Sequence, residues 1–451
     1  MTRLRSPLVA VMAACLSYAL LQSLALPTLP TMERRFDVGT GATVWIVLAF
    51  VLTSCSASPI LGGLGDRVGR RRMLEVSLVA FVVGSLVSGF AGSISMVIVG
   101  RALQGLGGAV FPLAFSVIGH ELPARRVGVA LGLVSSSFSV GGVVGMPLGG
   151  VIMEGLSWRW CYFVPAGLAC CALVLVRMSI GQGETDRRHR VDLLGGALLA
   201  LWLTLLLLGM TAGGRAGWWS VPTVSLLVGA GIVLVTWMLV ELRARAPLID
   251  VRLLARAPVP MASFAAFAMG WVQIGVIGLL PIHLGAAAGL DLTPTQTGLL
   301  FVPGFVVAMI AAPLGGALGA RRGYRRLLVV GLASAGSALV LPALVDTPWA
   351  FGVFIGFAMV GVTLAFSALP GLLVTALPSE VAGGVTGMNT TFRNVGGAIG
   401  AQVGATLIGG GGDFAGYLWV SAVLLGLTLA IAAVLPSCDG QRATSLIQLN
   451  N

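Results

Sequence analysis

The chain has 451 residues, of which 57% are hydrophobic and only 10% charged, with a mean hydropathy of +0.99. A soluble domain carries about a quarter charged residues, so this composition excludes a water-soluble globule and requires lipid as part of the solvent. The net charge of +11 does not indicate nucleic acid: all 27 basic residues are Arg, in short clusters between apolar runs, and no continuous basic stripe could follow a phosphate backbone.

A bilayer-spanning helix needs about 20 predominantly apolar residues, and fourteen segments qualify. In chain order the first eight cover residues 8–30, 43–62, 75–92, 96–118, 127–153, 161–178, 192–211 and 219–240. The last six cover 258–285, 296–319, 325–345, 349–374, 384–410 and 415–436. Arg3 and Arg5 precede the first run as in a signal peptide, but Pro7–Leu29 is too long for a signal core and no small-residue cleavage site follows, so a retained span is expected. Segments seven and eight are the least clearly separated; Gly213, Gly214 and Arg215 mark the break. The six Cys show no metal spacing and lie mostly inside apolar runs, where Cys behaves as a small hydrophobe.

Arginine placement orients the chain. With the N-terminus cytoplasmic, 21 of the 27 Arg fall on the cytoplasmic side, four fall outside and two, Arg101 and Arg393, lie within spans. Basic residues favour cytoplasmic loops, so both termini are expected in the cytoplasm. The chain also repeats itself: residues 57–74 and 311–328 agree at 10 of 18 positions at a constant offset of 254. Each copy ends an even-numbered span. The halves are therefore spans 1–6 and 9–14, with two spans inserted between them. The expected domains are a six-helix bundle over 1–180, a linker with helices seven and eight over 181–256, a second bundle over 257–436 and a tail over 437–451. Two related halves around a midplane site are a common basis for alternating access.

Three stretches carry the chemistry. The loop after span 2 holds Gly62, Gly65, Asp66, Arg67, Gly69, Arg70 and Arg71. Its glycines permit a tight turn, and Asp66 at a helix end suits an ionic latch with a neighbouring Arg or helix N-terminus; the competing reading is a plain basic loop. The second copy has Ala320 in place of the acid. Span 4 contains Arg101-Ala102-Leu103-Gln104-Gly105. A guanidinium inside a span costs about 2.5–3.5 kcal/mol to insert, so Arg101 is expected to face the protein interior unless it snorkels to the nearer surface. Span 5 carries Gly132, Gly141, Gly145, Pro147, Gly149 and Gly150, small residues that let helices approach closely.

These stretches resemble signatures of the major facilitator superfamily, and span 5 resembles its antiporter motif, with Pro147 one place later than that motif has it. Ser157-Trp158-Arg159-Trp160, the stretch Glu241 to Leu253, and Arg393-Asn394-Val395-Gly396-Gly397 resemble the 14-span drug:proton antiporters in particular. The resemblance implies an all-α polytopic membrane protein of major facilitator fold with 14 helices arranged 6+2+6. It implies proton-coupled efflux of amphipathic drugs, antibiotics or secondary metabolites across the inner cell membrane. The energy source would be the proton gradient, without a cofactor or metal, and the working unit a monomer in the lipid bilayer. Trp158 and Trp160 also suit the outer aromatic belt.

One departure bears on coupling. Where many such antiporters carry a span-1 Asp, this chain has Tyr18, and no acid sits clearly mid-span. Proton-coupling candidates are Arg101, Gln104 and Glu154, with Asp66 also titratable and His283 more simply an interfacial residue. Substrate-cavity candidates are Tyr18, Gln22, Trp271, Gln273, Asn389 and Arg393, for each of which helix packing is a competing role. Without a buried carboxylate, neutral or anionic amphiphiles have the same claim as cations. No hydrolase, zinc-protease or P-loop signature is present, which argues against an enzyme or an ATP-driven pump. An uptake symporter of a small organic solute, or a non-transporting membrane sensor or scaffold, stays open as an alternative.

Overall fold

The computed structural model describes residues 7–121, 124–181, 192–244, 247, 252, 259–285, 290–345, 347–376, 379–409 and 413–434. Helix is the regular structure throughout the described residues, as expected where lipid leaves no alternative partner for backbone amides. In chain order the long helices are α1 (Pro7–Phe36), α2 (Trp45–Val68), α3 (Arg70–Gly89), α4 (Ile94–Gly119), α5 (Ala124–Gly155), α6 (Trp160–Ser179) and α7 (Leu193–Ala216). They continue as α8 (Val221–Arg243), α9 (Val259–Leu284), α10 (Pro294–Arg322), α11 (Tyr324–Leu344), α12 (Pro348–Ala376), α13 (Ser379–Gly409) and α14 (Phe414–Val434). Each of the fourteen apolar segments thus becomes a helix. Thirteen have a stretch long and apolar enough to cross a bilayer. The exception, α13, carries Asn389, Arg393, Asn394 and Gln402, which lower its apolarity.

Three helices depart from regular α geometry where small or cyclic residues permit it. α1 tightens to a 3-10 turn at Leu26–Thr28, around Pro27. α4 does so at Leu106–Ala109, where Gly105 and Gly108 lie against Thr53 and Ser54 of α2. α9 widens into a π-helical stretch over Trp271–Val276, the kind of insertion that re-aims side chains.

Contacts fall into two sets. Within the first six helices, α1 packs on α5 and α6, α3 on α4 and α6, and α2 on α4. Within the last six, α9 packs on α13, α12 on α10 and α11, and α11 on α14. Between the sets, α5 pairs with α10 and α2 with α13. α7 packs on α8 and also touches α2 and α13, with Trp45 Nε1 donating to Thr211 Oγ1 at 3.2 Å and Gly214 against Thr406. The inserted pair therefore sits along one seam between the sets. Burial follows this arrangement: 83% of the α9 span is buried but only 17% of the α8 span.

The sequence repeat is a structural one. Gly69 between α2 and α3 and Gly323 between α10 and α11, 254 positions apart, both adopt positive φ, 115° and 91°, which an L side chain resists. Arg71 Nη1 donates to the carbonyl of Ile180, just past α6, at 3.0 Å. Its counterpart Arg325 donates through Nε and Nη2 to the carbonyls of Ala432 and Ala433 in α14, at 3.1 and 3.0 Å. Each arginine satisfies free carbonyls at the end of the last helix of its own half. Arg71 is also paired with Glu75 at 3.0 Å, and Glu75 with Arg177 at 3.6 Å. Arg71→Ala and Arg325→Ala are expected to lower unfolding stability by similar amounts, about 1 kcal/mol each, measured by thermal unfolding in detergent.

Candidate functional site

Arg101 is only 2% exposed, so the snorkelling alternative fails. Ser93 caps the start of α4, its side chain accepting from Met96 N, and two turns later Arg101 points into the bundle. Its Nε donates to the Ile46 carbonyl of α2 at 2.8 Å, Nη1 to Gln104 Oε1 at 3.0 Å, and Nη2 to Gln22 Oε1 of α1 at 3.4 Å. Gln104 Nε2 donates in turn to Ser85 Oγ of α3 at 3.2 Å. One polar chain thereby joins α1, α2, α3 and α4. The guanidinium also lies 4.5 Å from the Phe50 ring centroid, a cation–π contact. Among the described residues no carboxylate pairs with it.

Tyr18 fills the position where the resemblance led one to look for an acid. It is buried, with ring centroids 5.6 Å from Phe50, 5.7 Å from Phe111 and 6.4 Å from Phe81. Phe111 continues the aromatic wall to Phe115 and Phe138. Tyr18 lies within electrostatic range of Arg101 and also of Arg393 from α13, so a cation from each half converges on it.

On the other side, Gly270 of α9 lies against the Arg393 backbone, and Gly396 of α13 against Phe267. The Arg393 guanidinium sits 4.8 Å from the Phe366 ring of α12, and its Nε is buried without a hydrogen-bond partner. Arg393, Asn389, Thr390, Phe366, Leu369, Pro370 and Leu373 line a cavity of about 60 Å³. Asn389 Nδ2 donates to the Ala262 carbonyl at 3.0 Å. A larger, open-sided cavity of about 490 Å³ lies elsewhere, by Asp192, Thr236 and Arg243 of the inserted pair.

The other residues singled out from the sequence separate in space. Trp271 is buried, donating through Nε1 to Ser421 Oγ of α14 at 2.9 Å, a packing role within the second half. Gln273, two residues on in the π-helical stretch, is half-buried. Glu154 is exposed at the end of α5, where Oε1 accepts from Thr295 N at 3.0 Å. That donor is in the first turn of α10, at the helix end that attracts anions. The stretch expected as a loop after span 2 is instead mostly helix: α2 runs on through Val68 and only Gly69 separates it from α3, with Gly65 packed against Leu113 and Arg67 exposed in the last turns of α2. Arg70 is half-buried, Gly62 has open space around it, and the Asp66 side chain lies outside the described residues. His283 stacks on Phe414 at 4.5 Å. Trp158 is not a belt residue: it is buried, edge-on to Phe36 and Tyr162, whereas Trp160 is about half exposed.

The α5 glycines serve two neighbours. Gly141, Gly145 and Gly149 face Ala19, Ser23 and Pro27 of α1. Gly142 and Gly150 face Phe305 and Thr295 of α10, and Gly298 of α10 faces Met146. Pro147 lies inside α5, between these contacts, and Gly132 lies in the same helix with its surroundings outside the described residues. α13 repeats the pattern at an offset of 255: Gly396, Gly397, Gly400 and Gly404 match Gly141, Gly142, Gly145 and Gly149. They face Phe267, Ile274, Trp271 and Leu279 of α9. This second repeat was readable in the sequence but is easily missed, because it consists almost entirely of glycine. Ser85, Phe50 and Phe366 gave no signal of their own, since single Ser and Phe residues in apolar runs are commonplace.

Comparison with known proteins agrees with this architecture. A family model described as Major Facilitator Superfamily matches residues 11–401 and again 262–439. An uncharacterized MFS-type transporter of Mycobacterium tuberculosis is 30% identical over 397 residues; the match covers 86% of this chain, which spans only 57% of that relative's length. Multidrug resistance protein 3 of Bacillus subtilis is 25% identical over 369 residues, 80% of this chain and 72% of that protein. A POT family transporter solved with 5-aminolevulinic acid superimposes with a TM-score of 0.70 at 13% identity, over 95% of both chains, which shows the fold. Paired bundles, a glycine-lined seam and a buried span-4 arginine thus accompany a family match through both halves: the chain is a multi-pass membrane protein and belongs to the major facilitator superfamily.

Proposed function

We propose that the protein is a proton-coupled exporter of amphipathic organic compounds, working by alternating access between a bundle of α1–α6 and a bundle of α9–α14. The observation that carries this reading is the pairing of α5 with α10 through Gly142, Gly150 and Gly298. A seam with few side chains between two related bundles closes tightly and parts without dragging side chains through one another. The arginine-rich ends of the helices would face the cytoplasm. The described contacts at the opposite ends, Glu154 to Thr295 and Gly285 beside Pro30, then belong to a form sealed toward the outside. The names of the Bacillus and mycobacterial relatives support drug-like substrates.

The test is uptake of a fluorescent amphiphile into inverted membrane vesicles containing the protein. Accumulation driven by an imposed proton gradient and abolished by an uncoupler is expected. Accumulation only in right-side-out vesicles would identify an importer instead. Asp66, in the last turn of α2, is expected to act as a latch on the cycle. Asp66→Asn should slow turnover more than it weakens substrate binding, measured by flux and equilibrium binding on the same preparation; an unchanged rate counts against the latch.

A further inference from the structure

We propose that the cavity between α12 and α13 is a head-group site built around Arg393 and takes an anion, so that the substrate class is the amphipathic organic anion: a carboxylate, sulfonate or phosphate on an apolar or aromatic body. This rests on the reading of the protein as a transporter and narrows its substrate.

Three independent features of the molecule carry it. The first is the contrast between the two arginines that lie within spans, Arg101 buried and Arg393 half-buried. Arg101 spends its donors on Ile46, Gln104 and Gln22. Arg393 has a buried Nε with no acceptor, and among the described residues no carboxylate is paired with it. A guanidinium presents five donors in a fork suited to a planar or tetrahedral oxyanion, and here the buried Nε is left under-satisfied.

The second is the internal repeat. The glycine ladders of α5 and α13 align at an offset of 255, which places Phe138 opposite Arg393 in the other copy. Phe138 contacts Phe111 at 6.5 Å there, whereas Arg393 lies on Phe366. The same helix position is thus filled by a neutral aromatic in one half, so the architecture does not require a cation. The charge is an addition to the scaffold.

The third is size. The cavity lined by Arg393, Asn389, Thr390 and Phe366 measures about 60 Å³. By the same measure a single water needs about 10–15 Å³, so the space suits an anionic head group and is too small for the body of a drug. The body would lie against the aromatic wall of Tyr18 and Phe111. Among the described titratable groups, Tyr18 and Cys55 lie within electrostatic range of Arg393, and neither supplies a compensating negative charge in its neutral form.

The experiment uses the full-length protein purified in detergent and a set of ligands with one aromatic body: 2-naphthoate, naphthalene-2-sulfonate, 2-naphthyl phosphate, the uncharged 2-naphthamide and a 2-naphthylmethyl trimethylammonium cation. Binding is measured by equilibrium dialysis. The anions are expected to bind at least about tenfold more tightly than the amide, a difference of about 1.4 kcal/mol, with the cation weakest. Their order among themselves identifies the oxyanion. Arg393→Phe, which installs the residue of the other copy, should erase the preference while the amide binds as before, and Arg393→Lys should keep part of it. Equal binding of anion and amide by the unmodified protein, or an anion preference that survives in Arg393→Phe, overturns the proposal. The transporter reading is judged separately in vesicles. Anion binding without flux would count against export and leave the site standing; anion flux undiminished in Arg393→Phe would overturn the site and leave export standing.

Discussion

Arg101→Ala is expected to reduce transport by at least about 100-fold, equivalent to about 2.7 kcal/mol, while the protein still inserts and purifies as a folded species. The argument is energetic. Placing a guanidinium in a span costs about 2.5–3.5 kcal/mol on insertion scales. Hydrogen bonds between helices in a membrane return about 0.6 kcal/mol each. The two bonds from Arg101 to other helices, at Ile46 and Gln22, therefore recover only part of the cost, and the Phe50 contact adds about 1 kcal/mol more. Stability alone gives little reason to keep the residue. Its effect should instead be on the relative positions of α1, α2 and α4 and on the field at Tyr18. Arg101→Lys should be nearly as damaging, because a single ammonium does not reproduce the fork that reaches three acceptors on three helices. The measurements are proton-driven flux in vesicles and the unfolding temperature of the purified protein. Near-normal flux in Arg101→Ala would remove the residue from the mechanism; a collapse of expression in both variants would make its role structural.

Gly150→Val is the second large effect, with flux expected to fall by more than about tenfold. A Cβ at Gly150 would collide with Thr295 Cα and lie 2.6 Å from the Pro294 carbonyl oxygen. Both are backbone atoms in the first turn of α10, so nothing flexible yields, and the seam between the bundles must open at this end. A wedge of this kind costs about 1–3 kcal/mol and acts only on the closed form. Gly142→Ala is the useful contrast. The atoms in its way belong to the Phe305 side chain and not to backbone, so the loss should be smaller. Thiol labelling of a cysteine placed at buried Thr297, with the native cysteines replaced, reports the opening directly. Labelling should rise in Gly150→Val. Unchanged labelling together with normal flux would show that α5 and α10 do not part during transport.

Much of the fold is legible without coordinates, and the reasons are specific. The break between α7 and α8 was marked only by Gly213, Gly214 and Arg215, yet those residues end α7, with Gly217 beyond it at a φ of 91°. The basic-loop repeat predicted matching turns, and Gly69 and Gly323 deliver them. The functions of the loop arginines were less legible. Arg71 read as part of a gate, but it satisfies carbonyl oxygen beyond α6, as Arg325 does at α14. A capping partner more than a hundred residues away leaves no local trace. Trp158 read as an interfacial aromatic and proved buried, because the end of α1 folds over it through Phe36.

The sequence by itself determined the number of long helices among the described residues, their approximate positions and the duplication that relates them. A span is a local object: about twenty apolar residues satisfy their own backbone hydrogen bonds in lipid wherever they occur. Only the tertiary structure decided which polar groups meet. Gln22, Arg101 and Gln104 converge because the glycines of α4 and α5 set how closely and at what rotation the helices pack. In a soluble protein an apolar stripe announces the inward face of a helix, but here the surroundings are as apolar as the core, so rotation is written in the small residues and in the few polar contacts they bring together.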